Sequence, residues 1–210
     1  MPGHDEWEDT TLNMPTIYYI RHGETEWNAD GRMQGAQDIP LNDVGRKQAA
    51  IAGGVLADLF ARAGRIEASR QFIASPLGRA RSTMELVRDA LRLPPHDYAI
   101  DDRLREIGYG RWEGSTLAQM HAADPELFAK RQADRWTVPA PGGECYADVE
   151  RRMRDWYNRL TADTVAVAHN GTARGLRVAL GIETSESAAD IFLEQGAVYV
   201  FADGGLTKYS

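Results

Sequence analysis

Ile17-Tyr18-Tyr19-Ile20-Arg21-His22-Gly23-Glu24-Thr25-Glu26-Trp27-Asn28 starts as an unbroken run of β-favouring residues and turns abruptly into Arg-His-Gly. A strand that is apolar at every position is covered on both faces, as in a parallel sheet flanked by helices. The run therefore predicts a buried strand over Ile17–Ile20 that delivers an arginine and a histidine to the loop at its end. Thr164–Ala168 repeats the pattern and runs straight into His169-Asn170-Gly171. Gln71–Ala74 is a third short apolar run, stopped by Ser75-Pro76.

Helical periodicity fills the intervals. Asn42 is a good N-cap for a helix from about 43 to 63. Ile51, Val55 and Leu59 are its expected stripe, flanked by Ala52 and Leu56. Gly53-Gly54 inside it costs about 1 kcal/mol per glycine relative to alanine, which close packing against a sheet would explain. Further helices are expected over about 78–91, one or two short ones within 115–135 around Asp124-Pro125, and helices over about 146–160 and 172–180. Tyr98–Ile100 reads as a short strand. Ala197–Ala202, the turn Asp203-Gly204-Gly205 and Leu206–Tyr209 read as an antiparallel hairpin. The alternation predicts a three-layer α/β/α sandwich with a mostly parallel sheet and a terminal antiparallel hairpin. Residues 14–210 form its single domain, with about 108–145 as a lid-like insertion. Residues 1–13 read as a loose acidic tail, upstream of a second plausible start at Met14.

The bulk numbers agree. Of 210 residues, 43% are hydrophobic, enough for a sizeable core. No apolar run approaches the roughly 20 residues of a membrane helix. The start lacks a secretory signal, and a single cysteine, Cys145, excludes an internal disulfide, so a cytoplasmic protein is expected. A net charge of −7 argues against a nucleic-acid partner but allows a local cluster of arginines to bind an anionic substrate. The oligomeric state is left open.

Ligands of open parallel sheets bind at the carboxyl ends of the strands. His22 and His169 fall there together, with Arg21, Ser75, Arg79 and a candidate carboxylate in Glu106. The helix start after Asn170-Gly171 offers N–H groups suited to an anion. Adjacent guanidinium groups would repel a metal ion. They match phosphate oxygens, and an imidazole is a competent nucleophile toward a phosphoryl group.

Four blocks in order resemble the histidine phosphatase superfamily, also called the phosphoglycerate mutase-like family. They are Arg21–Asn28 continuing through Gly31–Gly35 and Asp38–Leu41, then Ser75–Ala80, Leu104–Ile107 and His169–Gly171. The resemblance covers nearly the whole chain from Thr16. It implies a phosphate monoester hydrolase that needs no metal or other cofactor, acting on a phosphorylated small molecule, with a phosphoprotein still open. In that reading His22 becomes phosphohistidine. Arg21, Arg79 and His169 form the phosphate pocket, His169 as a cation. Asn28 is a further donor, and Gln34, Asn170 and Gly171 join in binding substrate. Glu106 protonates the leaving group and then activates water. A cofactor-dependent phosphoglycerate mutase and a non-catalytic phosphate-binding module are the alternatives. The first has a longer insertion after the glutamate block, and the second should lack a key residue.

Four further expectations concern less specific residues. Glu24, Glu113 and Glu144 also lie near loops and are read as solvated. Trp112, Met120, Phe128 and Trp136 either line a lid or pack a core. Arg151, Arg152 and Arg154 read as a solvated helix face. Cys145 stands where the resembling family often has serine, and it is a poor cap for the helix that follows.

Overall fold

The computed structural model describes residues 15–64 and 70–210. The expected tail and the alternative start at Met14 lie outside the described residues. β1 (Ile17–Arg21) is buried at every position. It pairs in parallel with β4 (Thr164–Ala168) on one side and antiparallel with β5 (Val198–Ala202) on the other. β2 (Gln71–Ala74) continues the sheet in parallel beyond β4 and carries the two-residue β3 (Ala99–Ile100). β6 (Gly205–Tyr209) pairs antiparallel with β5, giving the order β3-β2-β4-β1-β5-β6. The connections hold α1 (Glu26–Ala29), α2 (Asp43–Arg62), α3 (Gly78–Ala90), α4 (Leu117–Ala123), α5 (Pro125–Ala133), α6 (Tyr146–Tyr157), α7 (Asn170–Ala179) and α8 (Ser185–Ala188).

Side chains alternate across each strand, so the sheet feeds two cores. Tyr18, Ile20, Phe72, Val165 and Val167 pack against Leu56 and Phe60 of α2 and Met84 and Val87 of α3. Ile17, Tyr19, Ala166 and Ala168 pack against Val149, Met153 and Trp156 of α6 and Leu176 of α7. The expected three-layer sandwich with a mostly parallel sheet is the observed fold. No helix among the described residues is long and apolar enough to cross a membrane.

Two helix readings need correction. The buried stripe of α2 is Ala49, Ala52, Gly53, Leu56 and Phe60, while Ile51 is 56% exposed. The cause is Gly53, which packs on helix α3 rather than on the sheet. A Cβ there would sit 2.6 Å from the Cβ of Ala90, whereas one on Gly54 would meet nothing within 4 Å. Helix α7 starts at Asn170 rather than Thr172. His169 is its N-cap residue, and its N–H donates to Thr172 Oγ1 at 3.0 Å.

Within 108–145, Trp112, Met120 and Ala140 form a small separate core with Phe128 and Met33 packed on it. Trp136 instead stacks on Tyr146, with ring centroids 5.7 Å apart. Arg152 is not solvated. Its guanidinium donates to Glu144 at 3.2 and 3.3 Å and to the carbonyl of Arg103.

Candidate active site

His22 leaves β1 with its N–H donating to Ala168 O at 3.0 Å, so it stands beside the end of the neighbouring strand β4. His169 follows that strand, and the two imidazole centroids lie 5.0 Å apart. Tyr19 steadies the junction. Its hydroxyl accepts the His169 N–H at 3.1 Å and lies 2.7 Å from both His169 O and Thr172 Oγ1. The turn after His22 must be glycine, because a Cβ on Gly23 would fall 2.2 Å from Gly45 O.

The tautomer of His22 follows from its partner. Nδ1 lies 2.7 Å from Gly23 O, a carbonyl that can only accept, so Nδ1 carries the proton and Nε2 keeps its lone pair. Burial, then the charges of Arg79 and Arg21, push the His22 pKa well below the usual histidine value. The ring is thus neutral at neutral pH, as a nucleophile must be.

Arg21 and Arg79 are buried beside it. Arg21 Nη1 donates to Leu193 O at 2.8 Å, and its guanidinium lies 4.3 Å from the centroid of the Phe192 ring. Burial lowers its pKa to about 10, with Glu106 opposing. Arg79 donates to Gln37 O at 2.5 Å and Gly35 O at 2.9 Å. The Nε atoms of both arginines are buried without a hydrogen-bond partner among the described residues. Buried donors are normally satisfied, so this pair retains capacity for an anion.

His169 Nε2 lies 2.8 Å from Ser75 Oγ, and its Nδ1 is buried without a partner among the described residues. Burial, then Arg79 and His22, hold its pKa well below the usual value. The expected imidazolium is therefore not the protonation state that these surroundings favour. The positive neighbours keep the ring neutral unless an anion offsets them.

Glu106 holds a position that the sequence reading gave to substrate. Its Oε1 accepts from Ile107 N at 2.9 Å and from Gly171 N at 3.0 Å, so the N-terminus of α7 is already occupied by a carboxylate. The Gly171 N–H thus serves Glu106 in this arrangement. Asn170 is likewise engaged. Its Oδ1 accepts from Leu193 N at 2.8 Å and its Nδ2 donates to Ile191 O at 3.4 Å, which clips the segment that holds Arg21. Asn28 turns its Oδ1 toward Gln195 Nε2 at 3.3 Å, leaving Nδ2 as a donor. Gln34 is buried and its Oε1 has no partner among the described residues.

A cavity of about 580 Å³ opens over this cluster. Arg21, His22, Asn28, Gln34, Arg79, Glu106, Asn170 and Gly171 line it, while the fully buried His169 stands behind His22. The other glutamates mostly hold backbone in place. Glu113 accepts from Ala36 N at 2.9 Å, Glu144 from Gly108 N at 2.9 Å and Glu24 from Asn42 Nδ2 at 2.9 Å. Sequence reasoning missed Gln195, whose Nε2 donates to His22 O at 3.1 Å. It also missed Tyr109, Arg131, Tyr146, Arg174 and Phe192 in the cavity wall. Arg174 lies on the helix that His169 caps, the one signal that pointed toward it.

The family model of the histidine phosphatase superfamily (branch 1) matches residues 17–202. The chain belongs to this superfamily. Within it, the chain is 36% identical over 159 residues to a bifunctional protein of Mycobacterium tuberculosis, covering 76% of this chain and 41% of that protein. It thus spans less than half the length of that relative. It is 36% identical over 186 residues to a glucosyl-3-phosphoglycerate phosphatase of Mycolicibacterium vanbaalenii, covering 80% of this chain and 75% of that one. Among solved structures it resembles a mycobacterial glucosyl-3-phosphoglycerate phosphatase in complex with VO3. The TM-score is 0.72 at 28% identity, over 89% of this chain and 92% of the other.

Proposed function

We propose that this protein hydrolyses a phosphate monoester of a small molecule through a phosphohistidine on His22, without a metal ion. The observation that carries the reading is the bond from His22 Nδ1–H to Gly23 O at 2.7 Å, which directs the lone pair to Nε2 between two arginines. Nε2 attacks phosphorus as the bond to the ester oxygen breaks, with positioning and charge stabilisation doing most of the work. Arg21, Arg79 and Asn28 hold the phosphoryl oxygens, and the charge of the incoming dianion lets His169 take up a proton from solvent. Glu106, fixed through Oε1 by Gly171 and Ile107, gives its proton to the departing alkoxide. It then takes a proton from water as that water attacks phosphorus. The P–N bond breaks, and phosphate and neutral His22 are returned. The segment 108–145 covers the cavity and shapes it for the alcohol part of the ester.

Rapid acid–base quenching with 32P-labelled ester tests this. Labelled protein stable in alkali and labile in acid is expected, and His22→Ala should abolish both label and phosphate release. Unchanged hydrolysis by His22→Ala, or steady interconversion of 2- and 3-phosphoglycerate without phosphate release, would overturn it.

A further inference from the structure

Six arginines face the cavity, Arg21, Arg32, Arg79, Arg131, Arg135 and Arg174, against two carboxylates, Glu24 and Glu106. Arg21 and Arg79 are used by the phosphoryl group. Arg32 pairs with Asp30 at 3.6 Å, and Arg135 pairs with Asp190. Arg131 and Arg174 pair with no carboxylate among the described residues. Arg131 is only 5% exposed, and it donates to the carbonyls of Val138 and Glu144. Its guanidinium lies 5.7 Å from the Tyr109 ring and 6.0 Å from the Tyr146 ring. Arg174 comes to Tyr146 from the opposite element, α7. It donates to Ile191 O at 2.7 Å and to the Tyr146 hydroxyl, and lies 5.3 Å from that ring.

Two guanidinium groups thus share one buried tyrosine at the cavity wall; their hydrogen-bond partners are all neutral, and Asp190, which feels the charge of Arg174, is already paired with Arg135. Carbonyls and ring faces orient such groups without cancelling their charge, and for Arg131, held away from water, such a charge is costly. An anionic ligand group supplies the missing half. The two sites are neighbours, because Arg131 and Arg174 line the same cavity as Arg21 and His22.

We propose that Arg131 and Arg174, gathered on Tyr146, form a second anion subsite. The ester cleaved at His22 then carries a further anionic oxygen group, a carboxylate or a second phosphoryl group, on its alcohol part. The inference rests on the hydrolase reading above and narrows it from any phosphate ester to doubly anionic ones.

Matched substrates test it. 3-Phosphoglycerate and glycerol 3-phosphate differ by carboxylate against hydroxymethyl, and glucose 1,6-bisphosphate and glucose 6-phosphate differ by a second phosphoryl group. In the wild-type protein kcat/KM should be about tenfold to hundredfold higher for the doubly anionic member of at least one pair, the gain expected of one charge-assisted contact. Which pair shows the gain identifies the group. Arg131→Gln and Arg174→Gln should bring that ratio toward one, with Arg131→Lys retaining part of it. A wild-type ratio near one in both pairs overturns the inference, and this comparison needs no folded variant. So does a ratio unchanged in the variants because both members fall together, the behaviour of packing residues or of a third arginine on the reacting phosphoryl group. Hydrolysis of p-nitrophenyl phosphate separates the two levels. If it proceeds while neither pair is discriminated, the subsite fails and the hydrolase stands. If no ester is hydrolysed, both fail.

Discussion

Replacing Gly171 with alanine should disable proton donation while leaving the nucleophile in place. A Cβ at this position would lie 2.3 Å from Glu106 Oε1 and 2.8 Å from Ile107 Cγ2, where ordinary contact begins at 3.4 Å. The carboxylate must retreat by 3.4 − 2.3, or 1.1 Å, and the Gly171 N–H bond at 3.0 Å is strained or lost with it. A shift of about 1 Å in a catalytic group costs on the order of a hundredfold, within the 10²–10⁴ that general acid catalysis supplies. The loss should depend on the leaving group. An alkyl phosphate such as glycerol 3-phosphate departs as an alkoxide that needs the proton, so kcat should fall about a hundredfold. p-Nitrophenolate leaves without one, so formation of phosphohistidine from p-nitrophenyl phosphate in a pre-steady-state burst should fall only a few-fold. Overpacking costs about 1–3 kcal/mol, partly offset by the better helix propensity of alanine, so a thermal melt should show a folded protein. Equal loss on the two esters would refute the assignment of Glu106 as the acid, and so would full activity on both.

Three other outcomes are expected. The His22 and His169 pKa values both lie well below the usual value of about 6.5, so the acid limb of kcat/KM should fall below about pH 6.5. By the same sign the unfolded chain binds more protons as pH falls; stability is complete above about pH 6.5 and is lost below it, by at most about 1.4 kcal/mol per pH unit per ring. Rate profiles and urea melts over pH 4.5–8 check both, and an acid limb above about 6.5 would count against the neutral nucleophile. In urea melts Gly53→Ala should lower stability by about 1–2 kcal/mol through its 2.6 Å clash with Ala90, while Gly54→Ala, in open space, should raise it by about 1 kcal/mol. Cys145→Ser should stabilise α6 by about 0.5–1 kcal/mol, because a hydroxyl caps better than a thiol whose Sγ faces Asp148 Oδ2 at 3.2 Å; denaturant midpoints decide.

The parts of the site carried by strand ends were legible because apolar runs of four or five residues stop at a chemically distinct residue. That pattern puts Arg21, His22 and His169 at one edge of the sheet, and the four motif blocks together add Arg79, Glu106 and the chemistry. The α2 stripe was not legible, because Gly45, Ala49 and Gly53 bury their backbone against neighbours while offering no apolar side chain to a periodicity search. The bonds that Asn170 and Gly171 make were not legible for another reason. A free helix N-terminus in sequence is an anion site, and only the tertiary fold brings Glu106 from 65 positions away to fill it. Arg131 and Arg174 look like any helix arginine. Their convergence on Tyr146 from α5 and α7 has no local signature.

The 5.0 Å between the two imidazole rings is close to the spacing of about 4.8 Å between neighbouring strands. Arg21 and Ala168 are register partners, and the next peptide on each strand carries a histidine. The gap between the rings is thus ruled by a ladder of main-chain hydrogen bonds and not by the fit of the side chains beneath it. Core substitutions that leave Tyr19 and Ile107 in place should then change how many molecules are folded rather than the gap between the rings. Turnover measured on a library of such variants would serve as a head count of native protein, readable without a separate stability assay.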